Sequence, residues 1–197
     1  MNKNFDRLID SYLENKIGID TRFLTRSLSE GLRQNILQLQ SDKRMVTAGI
    51  GNDTVADRHQ KIRGDKIYWM DKNHSNDFER EFLELINDFV GHLNETCYTG
   101  INSYEFHYAV YEEGNFYKRH KDQFRNDSNR KYSLISYLNE DWKEEDGGQL
   151  QIYQEGEIKR VMPQSQTAVF FKSDEMEHEV LKANRQRMSV TGWLKQI

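Results

Sequence analysis

Cysteine occurs once in this 197-residue chain, at Cys97, and proline once, at Pro163. One thiol excludes an intrachain disulfide and any zinc cluster built from several thiolates. Cys97 follows Leu93 on a helical pattern, which suits a buried structural thiol more than a reactive one. Long apolar runs are absent too: stretches such as residues 168–171 fall far short of the roughly 18 residues that suggest a membrane span. Residues 1–6 lack the apolar segment of a signal peptide, so a cytoplasmic protein with no membrane partner is expected. The net charge of -4 lacks the basic footprint of a nucleic-acid binder, and no nucleic-acid partner is expected. No Pro-rich linker, low-complexity tract or internal repeat divides the chain. A single domain over residues 1–197 is therefore expected, long enough to bury roughly 70% of its unfolded surface.

What is present divides the chain in two. Phe5, Leu8, Ile9, Tyr12 and Leu13 recur at helical spacing and predict an amphipathic helix near residues 4–16. Leu24, Leu28, Leu32, Ile36 and Leu39 form a second stripe, and Phe78, Phe82, Leu85, Ile86, Phe89 and Leu93 a third. Such stripes pack on the outside of a sheet. From residue 101 the period becomes two: residues 104–111 alternate as a half-buried strand does, with further strands expected near 132–139, 149–153, 167–172 and 187–195. Asp146-Gly147-Gly148 suits a turn with positive φ, and Pro163 punctuates the approach to the strand at Thr167. The expected class is α+β, with a helical support over about residues 1–100 and a β core over about 101–197. Residues 45–63, polar and glycine-containing around Gly49-Ile50-Gly51-Asn52, follow neither pattern.

Chemistry concentrates at His120 and Asp122. On a strand, positions two apart share a face, so one short segment offers an imidazole and a carboxylate to one metal ion. His178 would complete a two-His, one-carboxylate triad, the set that leaves three positions open on Fe(II). Among six histidines this spacing arises readily by chance, and taken alone it also describes a surface pair.

The order of motifs around the pair is more specific. Ile135-Ser136-Tyr137-Leu138-Asn139, Trp142, Gly147-Gly148-Gln149-Leu150, Thr167 to Phe171, His178-Glu179-Val180 and Arg187 to Trp193 together resemble the double-stranded β-helix of the iron and 2-oxoglutarate-dependent oxygenases. That jelly-roll, cupin-like barrel would carry the N-terminal helices as supports. Ile62 to Trp69, with the Tyr137-Leu138-Asn139, Trp142 and Gly147-Gly148 motifs, is similar to the hypoxia-inducible-factor prolyl hydroxylases and their bacterial relatives, over roughly residues 5–195. The resemblance implies hydroxylation of a prolyl residue in a protein, with conversion of 2-oxoglutarate and O2 to succinate and CO2. It implies Fe(II) on His120, Asp122 and His178, and ascorbate as reductant. The partner would be an exposed proline-bearing loop, elongation factor Tu being one candidate.

The same resemblance assigns the remaining site. Arg187 matches the arginine that binds the far carboxylate of 2-oxoglutarate, where a guanidinium can donate two parallel hydrogen bonds. Tyr137 matches the tyrosine sharing that carboxylate, and Tyr111 the one near the chelating end. Ser189, Thr191 and Trp193 share the inward face of a strand starting at Arg187, with Leu150 as apolar wall. Trp193, Tyr117 and Arg130 match substrate-contacting positions, although the two aromatics also suit ordinary barrel core. Asp65 is expected to pair with Arg130 when the loop over residues 45–63 closes as a lid; a plain surface loop is the other reading of that segment.

Three classes of function stay open. They are a protein prolyl hydroxylase, the same chemistry on another residue or a small molecule, and a non-catalytic module that binds metal or a partner. The nucleic-acid demethylases of this superfamily carry a second arginine six residues after the first, where this chain has Trp193. His59 and His74 are expected on the surface, His92 late in a helical stripe, and His107 as a satisfied strand residue.

Overall fold

The structure, a computed structural model, describes residues 3–49, 62–71, 73, 76–123, 128–154 and 156–197. Residues 50–61 of the expected lid over residues 45–63 lie outside them, as do His59 and His74. Three helices occur where the stripes predict them: α1 (Lys3–Asn15), α2 (Arg26–Ser41) and α3 (Asp77–Cys97). Thr25 caps α2 by accepting from the Leu28 N–H at 3.1 Å, and Asn76 caps α3 by accepting from Glu79 N–H at 3.1 Å. Leu13, counted in the first stripe, is 66% exposed, while its neighbour Tyr12 packs on the Phe170 ring at 5.2 Å. Cys97 is half-buried at the end of α3 rather than fully enclosed.

Eleven strands follow in chain order among the described residues: β1 (Gly18–Asp20), β2 (Val46–Thr47), β3 (Asp65–Trp69), β4 (Ser103–Tyr111), β5 (Tyr117–His120), β6 (Arg130–Tyr137), β7 (Leu150–Gln154), β8 (Glu157–Val161), β9 (Ala168–Lys172), β10 (Glu177–Val180) and β11 (Arg187–Lys195). They form a seven-stranded sheet, β1-β9-β6-β11-β4-β3-β2, and a four-stranded sheet, β5-β10-β7-β8. The two antiparallel sheets make the jelly-roll of a double-stranded β-helix.

β4 departs from the expected half-buried alternation: from Phe106 to Tyr111 every residue is buried. The reason is that both faces of the large sheet are covered. Phe106, Tyr108 and Val110 join Leu134, Phe170 and Val190 in a cluster with α1, α2 and α3. Ala109 and Tyr111 join Ile135, Tyr137, Val169 and Phe171 in a second cluster with Leu150, Ile152 and Val161 of the small sheet. The period of two thus sorts side chains between a helix-facing core and an inner, barrel-facing one. Phe89 joins helices to sheet within the helix-facing core, with its ring 5.2 Å from Phe5 and 5.5 Å from Phe170.

Short loops close the barrel. Gly147 and Gly148 both have positive φ, 63° and 64°, as expected for that turn, and a side chain on Gly147 would strike the Lys182 carbonyl. Pro163 lies between β8 and β9, where its carbonyl accepts from Asn139 Nδ2 at 2.7 Å.

Candidate active site

β10 lies between β5 and β7, and its register sets His178 directly opposite His120. The two ring centroids are 4.3 Å apart. His120 Nδ1 lies 2.7 Å from the Lys118 carbonyl, and His178 Nδ1 lies 3.2 Å from the Met176 carbonyl. Donation to those carbonyls places the proton on Nδ1 and leaves each Nε2 as a free lone pair. Both Nε2 atoms face Asp122 Oδ1, at 3.4 Å and 3.7 Å. The three ligand atoms all lie within 4.8 Å of one another.

Asp122 arrives there by a route the strand argument did not foresee. β5 ends at His120 and the chain bends at Asp122, so no shared strand face aims the carboxylate. A hydrogen bond does: Ser133 Oγ on β6 donates to Asp122 Oδ2 at 2.7 Å, and itself meets Ser173 Oγ at 2.9 Å. Oδ1 is left for the imidazoles. Burial opposes charge on Asp122, yet His178, His120 and the Ser133 hydroxyl outweigh it and hold the carboxyl well below the ordinary range. Burial pushes His178 down to about 4. An ionised carboxylate beside a neutral imidazole is the state in which such groups bind a divalent metal.

On β11, Arg187, Ser189, Thr191 and Trp193 all line one cavity with the three candidate ligands, as their parity predicts. Leu150 and Tyr111 line it as well. Arg187 is 1% exposed, and its Nε donates to the Gly148 carbonyl at 2.9 Å. No acidic side chain among the described residues pairs with it. Its guanidinium carbon lies 5.1 Å from the Tyr111 ring and 5.0 Å from the Tyr137 ring. Tyr137 is not on the cavity lining; it stands beside Arg187, and its buried hydroxyl has no hydrogen-bond partner among the described residues. Burial raises that hydroxyl to about 12, so it remains a donor at neutral pH. An unpaired buried cation next to an orphaned donor fits the distal carboxylate of a small dianion. The donor set of His120, Asp122 and His178 fits Fe(II) by the same standard.

Asp65 and Arg130 each meet another partner here, and most of the loop whose closure their expected pairing presupposes lies outside the described residues. Asp65, fully buried, accepts from Arg63 through both oxygens, at 2.7 Å and 2.6 Å, because residues two apart on an extended chain share a face. Arg130 instead donates to Glu105 Oε1 at 3.0 Å and 2.8 Å and lies 3.5 Å over the Trp193 ring. Asp65, Arg130, Tyr117 and Trp193 nonetheless all line the cavity. Tyr117 stacks on His120 with ring centroids 3.5 Å apart, and the Arg63 guanidinium lies over the Tyr117 ring at 4.4 Å.

Six lining residues escaped the sequence reading of the site, Arg63, His107, Ala109, Lys121, Ile135 and Val180, and of these Arg63, just ahead of β3, and His107 on β4 bring polar groups. Parity could have found both, because Arg63 is two residues from Asp65 and His107 shares an inward face with Ala109 and Tyr111. His107 is not the satisfied strand residue expected, since its buried Nδ1 has no partner among the described residues. His92 pairs with Asp6 at 2.8 Å, away from the cavity.

Comparison with known proteins adds to this geometry. The profile of the 2OG-Fe(II) oxygenase superfamily matches residues 106–195. A crystal structure of a Pseudomonas putida prolyl-4-hydroxylase is similar at 30% identity and a TM-score of 0.88, covering 98% of this chain and 99% of that one. A Trichoplax adhaerens prolyl hydroxylase, solved with a peptide fragment of the hypoxia-inducible factor oxygen degradation domain, shares the fold at 24% identity. Its TM-score is 0.88, over 98% of this chain and 91% of that one. Human Egl nine homolog 1 is 29% identical over 204 residues, which span 98% of this chain and 44% of the human protein. The chain spans about half the length of the curated relatives it matches.

Proposed function

Because the chain belongs to the 2OG-Fe(II) oxygenase superfamily, we propose that it hydroxylates a prolyl residue of a protein while converting 2-oxoglutarate and O2 to succinate and CO2. The observation that carries this reading is the buried Arg187, without an acidic partner among the described residues, in one cavity with His120, Asp122 and His178. In it, His120, Asp122 and His178 would hold Fe(II). Arg187 and the Tyr137 hydroxyl take the far carboxylate of 2-oxoglutarate, with Tyr111 towards its chelating end. Ser189, Thr191 and Leu150 shape the space between. When bound, iron and 2-oxoglutarate supply the oxidising power for C–H hydroxylation, which no side chain in the cavity provides.

What the chain itself contributes is position and exclusion. The carbonyls of Lys118 and Met176 orient the two imidazoles, and Ser133 orients the carboxylate. Val180, Ile135 and Leu150 give the cavity apolar walls that keep bulk water from the reacting atoms. Trp193, Arg130, Tyr117 and Asp65 are proposed to meet the protein substrate. Its prolyl character rests on the Pseudomonas putida relative's being a prolyl-4-hydroxylase. The proposal extends to a proline-bearing loop such as one of elongation factor Tu as substrate, ascorbate as reductant and the cytoplasm as location.

The test is peptide mass spectrometry on a lysate from cells lacking this protein, incubated with the purified protein, Fe(II), 2-oxoglutarate and oxygen-18 gas, with His178→Ala as control. Heavy oxygen on one proline, absent from the control, is the expected result. Label on another residue type, or 2-oxoglutarate binding with no labelled protein, would overturn the prolyl reading.

A further inference from the structure

His107 sits on the inward face of β4, opposite Thr191 of β11 and Trp69 of β3. It is 3% exposed and lines the cavity. Its ring is held between two indoles, with centroids 4.8 Å from Trp69 and 5.4 Å from Trp193, the latter stacked at 30°. Neither ring nitrogen has a hydrogen-bond partner among the described residues. The Nε1 of Trp193 is likewise buried and without a partner among them.

Two adjacent buried polar atoms left unsatisfied, His107 Nδ1 and Trp193 Nε1, are costly, and native proteins keep such groups rare. No described residue supplies a partner, and both atoms belong to residues lining the cavity in which a substrate would lie. An indole N–H only donates, and a neutral imidazole carries one N–H. Burial pushes His107 down to about 4, so its ring is neutral at physiological pH. This wall therefore offers donors at two neighbouring points. A prolyl residue has no backbone N–H and presents only carbonyl oxygens along its main chain, so a site that recognises it must supply donors.

We propose that His107, together with Trp193, is a specificity-determining residue that donates a hydrogen bond to a backbone carbonyl beside the target proline. This rests on the prolyl hydroxylase reading and names a contact within it. Trp69, 45% exposed on the outer side of the His107 ring, holds that ring in place.

The test compares wild type with His107→Leu, which removes the N–H, and His107→Gln, which restores a donor. The probe is a synthetic peptide centred on the proline labelled in the oxygen-18 experiment. His107→Leu is expected to raise the peptide KM and Kd about tenfold, the loss of one hydrogen bond, while the KM for 2-oxoglutarate and peptide-independent 2-oxoglutarate turnover stay unchanged. His107→Gln should recover part of the peptide affinity. In the wild-type protein with Zn(II) in place of iron, the His107 N–H resonance should move downfield when the peptide is added, a readout that needs no variant to fold. Unchanged peptide affinity in His107→Leu, or an unmoved resonance, would overturn the assignment and leave His107 a packing residue. If the wild-type protein labels no proline at all, it is the prolyl reading that fails, and the His107 assignment falls with it.

Discussion

At Asp122 the two oxygens have different tasks: Oδ1 faces both imidazoles, and Oδ2 is held by Ser133. Removing the hydroxyl in Ser133→Ala frees the carboxylate to rotate, and affinity for Fe(II) is expected to fall about tenfold or more, as measured by metal titration calorimetry. Ser133→Thr keeps the donor and should keep the affinity. His107 gives a pH prediction for the metal-free protein. Its pKa is lowered from 6.5 to about 4 in the folded chain, so between those values the unfolded chain binds more protons. Stability is therefore full above the unfolded value and is lost as pH falls towards the folded one, by about 1.4 kcal/mol per pH unit for this group. Melting curves near neutrality and at about pH 5 should show the loss, with a shallower pH dependence in His107→Leu.

The elements of this fold depend on a few close approaches. Gly31 of α2 lies against the Phe78 ring at the start of α3, and a methyl group there would collide with it. Gly31→Ala should therefore cost about 1–3 kcal/mol in urea unfolding through overpacking, while metal affinity is unchanged because no ligand lies on either helix. The same scale explains which elements were legible. Helical stripes at Leu28, Leu32 and Ile36 or Phe82, Ile86 and Phe89 stand out because one face of each helix is buried and the other solvated. β10 and β8 were not predicted: the first is four residues long with the pattern Glu-His-Glu-Val, and the second keeps Glu157, Ile158 and Arg160 exposed. Too few apolar residues mark either one in sequence.

Across the whole molecule, one cluster of buried side chains runs from Phe5 and Phe89 in the helices to Phe170 and Leu194 in the sheet. Phe89→Ala, emptying the centre of that contact, is expected to cost about 3–5 kcal/mol. Helical and sheet structure should still be lost together, so far-UV circular dichroism and tryptophan fluorescence should give the same midpoint; two separated transitions would show that the halves fold independently. Beyond the candidate ligands His120, Asp122 and His178, which the order of motifs around them singled out, residue chemistry and period alone determined much of this protein: the helices, most of the barrel strands and the inward parity of Arg187, Ser189, Thr191 and Trp193. These are local properties, set by side-chain type and by spacing along one element. Only the tertiary structure decided which partners meet. It placed Asp65 on Arg63 and Arg130 on Glu105, turned Asp122 by way of Ser133, set Tyr137 beside Arg187, and left His107 unpaired between two indoles. Those choices follow from strand register and sheet closure, which bring together residues far apart in the chain and leave no trace in local spacing.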